Sequence, residues 1–173
     1  MFQEIKAEIS LSALKNNLKQ VITRIGQKKI IAVVKADAYG HGAIAVSKAL
    51  IKTSPQVAML GVASLDEGII LRGAGIRTPI LLMTGCPLES IPELVQYRLT
   101  PAVYNVAMLP RLSRYAKKKG SKIAIHLKVD TGMGRLGISP EEAVGFIQKS
   151  ADLGIAVEGV FSHFADADLA NLA

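Results

Sequence analysis

The sequence has 173 residues, of which 50% are hydrophobic and 20% are charged, enough for one domain with a substantial core. The net charge is +7, but basic residues are spread along the chain and the one dense run, 117–119, has no interleaved aromatic residues, which argues against nucleic acid. No apolar run approaches the roughly 18 residues of a membrane span, and the N-terminus lacks a signal-peptide layout, so we expect no membrane partner.

The cysteine and histidine content also limits the function. Cys86 is the only cysteine, which excludes an intrachain disulfide and fits the reducing cytoplasm. We interpret it as a small packing side chain. The three histidines, His41, His126 and His163, are scattered singly, and no Cys/His spacing resembles a ligand set. We therefore expect no metal site.

The N-terminal residues predict a short strand followed by a helix. Residues 5–9 alternate between apolar and polar, which is typical of a strand. Ser10 is a suitable N-cap, and Gly26 ends the predicted helix. One face of this helix is apolar and is formed by Leu11, Leu14, Leu18, Val21, Ile22 and Ile25.

From residue 30 onward, apolar strands alternate with amphipathic helices, two of them opened by capping boxes at Ser64 and Ser139. This alternation predicts a parallel sheet with right-handed connections. Two architectures fit: an open doubly wound sheet, or three-quarters of an eight-stranded barrel, which usually needs about 250 residues. The predicted strands are 30–34, 57–63, 79–83, 100–103, 122–128 and 156–161.

Lys35 stands where the first of these strands gives way to a glycine-containing loop. In α/β barrels, catalytic groups lie at the carboxyl ends of such strands, and a partly desolvated lysine there would favour the neutral amine that reacts with carbonyl groups. A lysine that only extends its ammonium into water is the alternative. Tyr39 and His41 follow within seven residues, together with two glycines, and favour the chemical interpretation.

Residues 33–42 (VVKADAYGHG) closely resemble the cofactor-attachment motif of bacterial alanine racemases, in which the lysine carries pyridoxal 5′-phosphate (PLP). Three further segments resemble this family in order and approximate spacing: 62–68 (VASLDEG), 126–137 (HLKVDTGMGRLG) and 159–168 (GVFSHFADAD). The resemblance covers essentially the whole chain but only about the first half of a family member.

The resemblance implies a fold and a function. The fold would be the N-terminal portion of a PLP-binding TIM-like (β/α)8 barrel of fold type III, with about six βα units over residues 10–173, truncated before closure. Residues 1–9 would pair with a C-terminal β domain absent here. The function would be PLP-dependent racemisation of L-alanine to D-alanine for peptidoglycan by a homodimer, with this fragment inactive alone. A racemase of serine or broader specificity and a non-catalytic PLP-binding barrel remain alternatives.

The resemblance also implies roles for individual residues. Lys35 would carry PLP and move the substrate proton, and Tyr39 would contact the PLP phosphate. Arg135 would contact the PLP phenolic oxygen and the substrate carboxylate. Lys128 would be carbamylated and hold Arg135. His163 would support an arginine that faces the PLP pyridine nitrogen and comes from beyond this chain.

Residues 132–137 also match G-x-G-x-x-G after a strand, which is the pattern of a dinucleotide-binding loop. Glu158 lies near the position of a ribose-binding acid. In that fold, however, the third glycine lies in the opening of the helix. Here Ser139 is the N-cap, so the helix is predicted to begin after all three glycines. We therefore favour the interpretation of this loop as a holder for Arg135.

Overall fold

A computed structural model describes residues 6–167. Short 3₁₀ turns at Leu88–Ser90 and Pro140–Glu142 precede α5 and α7. The helices and strands follow in the order α1 (Leu11–Ile25), β1 (Ile30–Val33), α2 (Lys35–Gly40), α3 (Ala43–Thr53), β2 (Val57–Val62), α4 (Leu65–Gly73), β3 (Ile80–Leu82), α5 (Ile91–Gln96), β4 (Thr100–Val103), α6 (Met108–Lys119), β5 (Ala124–Lys128), α7 (Ala143–Asp152) and β6 (Ala156–Phe161).

The first helix forms as predicted. The Ser10 hydroxyl accepts a hydrogen bond from the Ala13 amide at 3.2 Å, and Gly26 follows the last turn with φ +62°. The apolar stripe packs against the core through Leu11, Leu14, Leu18 and Ile22, whereas Val21 is 45% exposed. Val21 lies at the margin of the stripe, about 60° around the helix from Leu18, where the stripe has already turned towards solvent.

All six predicted strands are confirmed, with boundaries that differ by at most two residues. They form one parallel sheet in the order β1-β2-β3-β4-β5-β6. A doubly wound sheet needs a reversal of strand order, and there is none among these six strands. The sheet is therefore the N-terminal portion of a TIM-like barrel. Among the described residues β1 pairs only with β2, and β6 only with β5, so both strands are open edges.

The core lies between the sheet and its helices in two clusters of buried side chains. Leu60, Ile80 and Leu82 belong to the cluster beneath the first strands. Leu112 and Leu127 belong to the cluster beneath the later strands. Each of these five side chains is fully buried. The two clusters hold the strands in place, which fixes the positions of the loops at their carboxyl ends.

The segment before α1 differs from its prediction. Lys6 to Ile9 form no strand, because no neighbouring strand pairs with them within residues 6–167, and Ile5 lies outside the described residues. The pairing of residues 1–9 with a C-terminal β domain, and the domain division based on it, stay predictions. Across residues 6–167, the helices are too short or too polar to cross a lipid bilayer.

Candidate functional site at the carboxyl ends of the strands

Four predicted site residues lie at one edge of the sheet. Lys35 directly follows β1 and its capping residue, and Lys128 is the last residue of β5. Arg135 lies in the loop after β5, and His163 lies two residues after β6. Because the strands are parallel, their carboxyl ends meet at the same edge. Lys35 and Arg135 both lie close enough to Lys128 to lower its pKa.

Lys35 begins α2, which is a left-handed helical turn. Ala36, Asp37, Ala38 and Tyr39 have φ between 50° and 56°, and none of them is glycine. Each such residue costs about 1–2 kcal/mol relative to the right-handed form. The sequence predicts only a loop here, so this conformation corrects that prediction. Alanine and tyrosine do not favour it, and of the four residues only Asp37 is of a type that adopts positive φ readily, which is too weak a signal to predict four such residues in a row.

Hydrogen bonds at the end of the turn hold this conformation in place. The Asp37 side chain accepts a hydrogen bond from the Ala43 amide at 2.6 Å, and its carbonyl accepts one from the Gly42 amide at 2.9 Å. Nδ1 of His41 lies 2.9 Å from the Ala38 carbonyl oxygen, which it bonds as an N–H donor. These contacts make His41 a structural residue of the loop.

Tyr39 extends from the turn towards solvent beside Lys35. Its side chain is 61% exposed, and Nζ of Lys35 lies 5.9 Å from the centroid of its ring. A lysine over the face of an aromatic ring is weakly attracted to it at an exposed site. The Tyr39 hydroxyl is therefore available to a ligand that reaches Lys35.

Glu67 lies beside the candidate site and contacts the turn, which the sequence does not predict. Its carboxylate completes the capping box that opens α4, as predicted, and Oε1 also accepts a hydrogen bond from the Ala36 amide at 2.7 Å. The capping box at Ser64 includes this glutamate as its fourth residue, but only the tertiary structure brings it to Ala36, 31 residues away in the chain.

Lys128 is buried, with 6% of its surface exposed, on the side of β5 opposite to Ile125 and Leu127. Desolvation lowers the pKa of its ammonium most, and the positive charges of Arg135 and Lys35 lower it further. Asp130 opposes this shift. A buried lysine among cations favours its neutral form.

The carboxylate of Asp130 holds the loop from Asp130 to Gly137 in its conformation. Oδ1 of Asp130 accepts hydrogen bonds from the amides of Gly132 and Gly134, each at 3.0 Å, and these bonds lower the pKa of the carboxyl. Gly137 has φ +141° and lies against the backbone of Asp130, where a Cβ atom would clash. The loop returns to β5 and presents Arg135 at the surface.

This geometry does not support the dinucleotide interpretation. The 3₁₀ turn begins at Pro140 and α7 at Ala143, after all three glycines. Two of the amides that would face a phosphate bind the Asp130 carboxylate instead. Glu158 lies within β6 rather than at its end.

The two remaining histidines differ in environment. His163 is exposed beyond β6. His126 is half-buried, its ring packs against Gly159, and it lies 6.4 Å from the Phe161 ring. Burial lowers the pKa of His126, and the charge of Glu158 partly offsets this. His126 is therefore a partly enclosed side chain that packs between β5 and β6.

The fold and the site together define an α/β-barrel protein whose first strand presents a lysine beside two further cations. Residues 9–172 match the family model described as alanine racemase, N-terminal domain, and the chain belongs to this family.

The curated relatives are named alanine racemase. The protein of Halothermothrix orenii is 47% identical over 165 residues, which cover 94% of this chain and 43% of that protein. That of Methanococcus maripaludis is 45% identical over 168 residues, covering 95% of this chain and 44% of that protein. This chain thus spans less than half the length of these relatives.

Solved structures agree with the fold. Alanine racemase of Clostridium difficile 630 superimposes with a TM-score of 0.84 at 40% identity, covering 92% of this chain and 41% of that one. Alanine racemase of E. faecalis superimposes with a TM-score of 0.87 at 35% identity, covering 94% and 44% of the two chains. Both likenesses extend over nearly all of the six-stranded unit.

Proposed function

We propose that this chain supplies the first six barrel strands and the cofactor lysine of a PLP-dependent racemase that interconverts L- and D-alanine. The observation that carries the proposal is the position of Lys35, directly after β1 on a strained turn and beside Lys128 and Arg135. Strained backbone is retained where surrounding structure over-determines it, typically at functional sites. The names of the relatives supply the substrate.

The residues present suit PLP, an anionic aldehyde. Three cations meet at this edge, Lys35, Lys128 and Arg135, and the nearby Asp130 carboxylate already binds two backbone amides. The Asp37 and Glu67 carboxylates beside the Lys35 turn likewise accept hydrogen bonds from backbone amides. A cluster of three basic side chains favours a ligand with phosphate and carboxylate groups. Lys35 supplies the amine for covalent attachment, and the exposed Tyr39 hydroxyl supplies a donor for the phosphate.

Each side chain then has one task. PLP, when bound, withdraws electrons from the substrate Cα and makes its hydrogen acidic. The Lys35 amine removes or returns that proton on one face. The Arg135 guanidinium binds the substrate carboxylate and the phenolic oxygen through paired hydrogen bonds. His163 supports an arginine supplied from beyond this chain, and Lys128, once carbamylated, holds Arg135.

The opposite face of Cα needs a second acid–base group, which we assign to a partner subunit of a homodimer. The 173-residue chain alone is therefore expected to be inactive. We further propose that the complete enzyme works in the cytoplasm, as the single cysteine indicates, and supplies D-alanine for peptidoglycan.

Borohydride trapping tests the assignment of Lys35. A longer protein that carries this chain is incubated with PLP, reduced, digested and mapped by mass spectrometry. The reduced cofactor is expected on the peptide that contains Lys35, and it should disappear in Lys35→Ala but persist in Lys122→Met, which changes an exposed lysine at the amino end of β5, away from the site. Label on another lysine would overturn the assignment.

A non-catalytic PLP-binding barrel is distinguished by a second measurement on the same protein. A racemase exchanges the Cα hydrogen of L-alanine with deuterium from solvent and forms D-alanine. Labelling of Lys35 without exchange at Cα would favour the binding protein, whereas exchange with serine above that with alanine would favour the broader racemase.

A further inference from the structure

We propose that Glu67 is a positioning residue that fixes the left-handed turn beneath Lys35. Its two carboxylate oxygens bind two different strand–helix junctions. Oε1 accepts the Ala36 amide at 2.7 Å, and Oε2 accepts the amides of Ala63 at 2.7 Å and Ser64 at 3.3 Å. The carboxylate therefore joins the end of β1 to the end of β2.

The bond to Ala36 acts directly on the lysine. The amide of Ala36 belongs to the peptide unit that links it to Lys35, and this unit is planar. Fixing the direction of that N–H therefore fixes the orientation of the peptide plane that contains the Lys35 Cα. Hydrogen bonds to a charged acceptor are stronger than those between neutral groups, so this bond holds the plane firmly.

The turn needs such a constraint at its start. Four consecutive residues, Ala36 to Tyr39, have positive φ without the freedom of glycine. Asp37 holds the far end of the turn through the amides of Gly42 and Ala43. At the near end, the Ala38 amide bonds the Val34 carbonyl at 2.9 Å, and the contact from outside the segment is that of Glu67.

A second capping box in the same chain provides the comparison. Glu142 accepts the Ser139 amide at 3.0 Å through Oε2, as Glu67 accepts that of Ser64. In the described part of the chain, Glu142 makes no hydrogen bond to a neighbouring strand–helix junction. Replacing each glutamate by glutamine weakens a helix cap, but only Glu67→Gln also disturbs the bond to Ala36.

The consequence for PLP rests on the proposed function. A glutamine has one acceptor oxygen, and its NH₂ group would face an amide N–H wherever the second carboxylate oxygen had accepted a bond. The Ala36 amide or the α4 cap then loses its partner. We expect Lys35 to sample more directions, and its attachment to PLP to weaken.

The test uses a longer protein that carries this chain, without substrate. Hydrogen exchange of the peptide containing Ala36 reports the bond itself. The PLP concentration that half-labels Lys35 under borohydride reports its effect. In Glu67→Gln we expect exchange to be at least tenfold faster and that concentration at least tenfold higher. In Glu142→Gln both should stay within twofold of the unsubstituted protein, although both variants lose thermal stability.

Equal values in the two variants would overturn the positioning role. If Glu67→Gln does not fold, Glu67→Asp replaces it. Aspartate keeps the negative charge at the start of α4 but is too short to bind both junctions. Unchanged hydrogen exchange and unchanged labelling in Glu67→Asp would also overturn the proposal. Failure of the proposed function can be told apart from failure of the positioning role. In that case the unsubstituted protein would carry no PLP on Lys35, while hydrogen exchange at Ala36 would still test the bond to Glu67.

Discussion

Nζ of Lys128 lies 5.3 Å from the centroid of the Phe161 ring, its partner in register on the neighbouring strand. The ring offers the ammonium a weak attraction but no hydrogen bond. Desolvation, followed by the charges of Arg135 and Lys35, lowers the pKa of Lys128. More of its amine is therefore neutral near pH 8 than for an exposed lysine, and a neutral amine is the form that reacts with CO₂.

We predict that Lys128 forms a carbamate in bicarbonate buffer. The neutral amine adds to CO₂ and releases one proton, and the new carboxylate pairs with Arg135 in place of a repulsive cation. A longer protein carrying this chain, in ¹³C-bicarbonate at pH 8, should show a carbamate carbon signal. The signal should vanish in Lys128→Met and persist in Lys122→Met. A signal that survives in Lys128→Met would place the carbamate elsewhere.

The lowered pKa of Lys128 also predicts that the stability of the protein depends on pH. Its pKa is lower in the folded state than in the unfolded state, so the unfolded state binds more protons between the two values. The free energy of unfolding contributed by this group therefore rises with pH across that window and levels off above about 10.5, the ordinary value. Lys128→Met should be the more stable protein at neutral pH without bicarbonate, and denaturant titrations at several pH values should show the gain shrinking towards pH 10.

Arg135→Ala should reduce turnover much more than stability. The side chain is exposed, so its removal should change the free energy of unfolding by less than about 0.5 kcal/mol. Loss of a paired, charge-assisted contact with the carboxylate costs about 1.5–3 kcal/mol, or about 10- to 150-fold in kcat/KM. Arg135→Lys should be intermediate, because it keeps the charge without the two-pronged geometry.

Arg111→Ala, which alters an exposed arginine on α6, is the matched control and should leave kcat/KM unchanged. A large loss of stability with near-normal kinetics in Arg135→Ala would show instead that Arg135 is structural.

The sheet and its helices could be predicted from the sequence because burial leaves a periodic pattern. The apolar runs of β2 and β3 and the caps at Ser10 and Ser64 are local signals, and the structure confirms them. The choice between a barrel and a doubly wound sheet could not be derived from that pattern, because both contain the same βα units and differ only in strand order.

The left-handed turn could not be predicted because its cause lies elsewhere in the chain. Ala36 and Ala38 do not favour positive φ, and the Glu67 carboxylate that bonds the turn comes from another βα unit. The Asp130 loop shows that a correctly predicted turn can still leave its function open. Its glycines predict a turn correctly, but the same letters fit a nucleotide loop until the Asp130 bonds are seen.

Substitutions at Ala36 test the backbone strain directly. Ala36 is exposed and has φ +50°, so its side chain contributes little packing. Ala36→Gly removes a left-handed cost of about 1–2 kcal/mol and adds an entropic cost of about 0.5–1 kcal/mol. We therefore expect a gain of up to about 1.5 kcal/mol in the free energy of unfolding. Ala36→Val should destabilise by about 2 kcal/mol, because a β-branched residue is poorly tolerated at positive φ.

Both Ala36 variants keep the amide that bonds Glu67, so they separate strain from loss of the hydrogen bond. Denaturant midpoints of the same longer protein give the comparison, with Ala107→Val outside the strained turn as a reference at negative φ. Equal effects of valine at positions 36 and 107 would contradict the left-handed geometry.

Cys86 should react slowly with alkylating reagents in the folded protein. Burial raises the pKa of its thiol to about 11, so the reactive thiolate is scarce at pH 8. Its side chain packs against both core clusters, which also limits access. Iodoacetamide labelling should be at least 100-fold slower than for the unfolded protein, and rapid labelling of the folded protein would contradict the packing role.

The isolated 173-residue chain should not form D-alanine at a useful rate. Exchange on both faces of Cα needs two positioned acid–base groups, and Lys35 is the one we assign within this chain. The two strand edges are also unpaired among the described residues, and apolar side chains near them are exposed, with Val160 at 56% and Phe164 at 79%. Open edges and exposed apolar surface favour association between copies.

The purified chain is assayed with PLP and L-alanine beside its Lys35→Ala variant, while light scattering follows its association. We expect equal background rates for the two chains and a particle size that grows with concentration. Turnover that depends on Lys35 and approaches that of a complete racemase would overturn the requirement for a second group from a partner. A monomeric particle at all concentrations would show instead that the open edges are protected, because unpaired β1 and β6 edges would otherwise pair between copies.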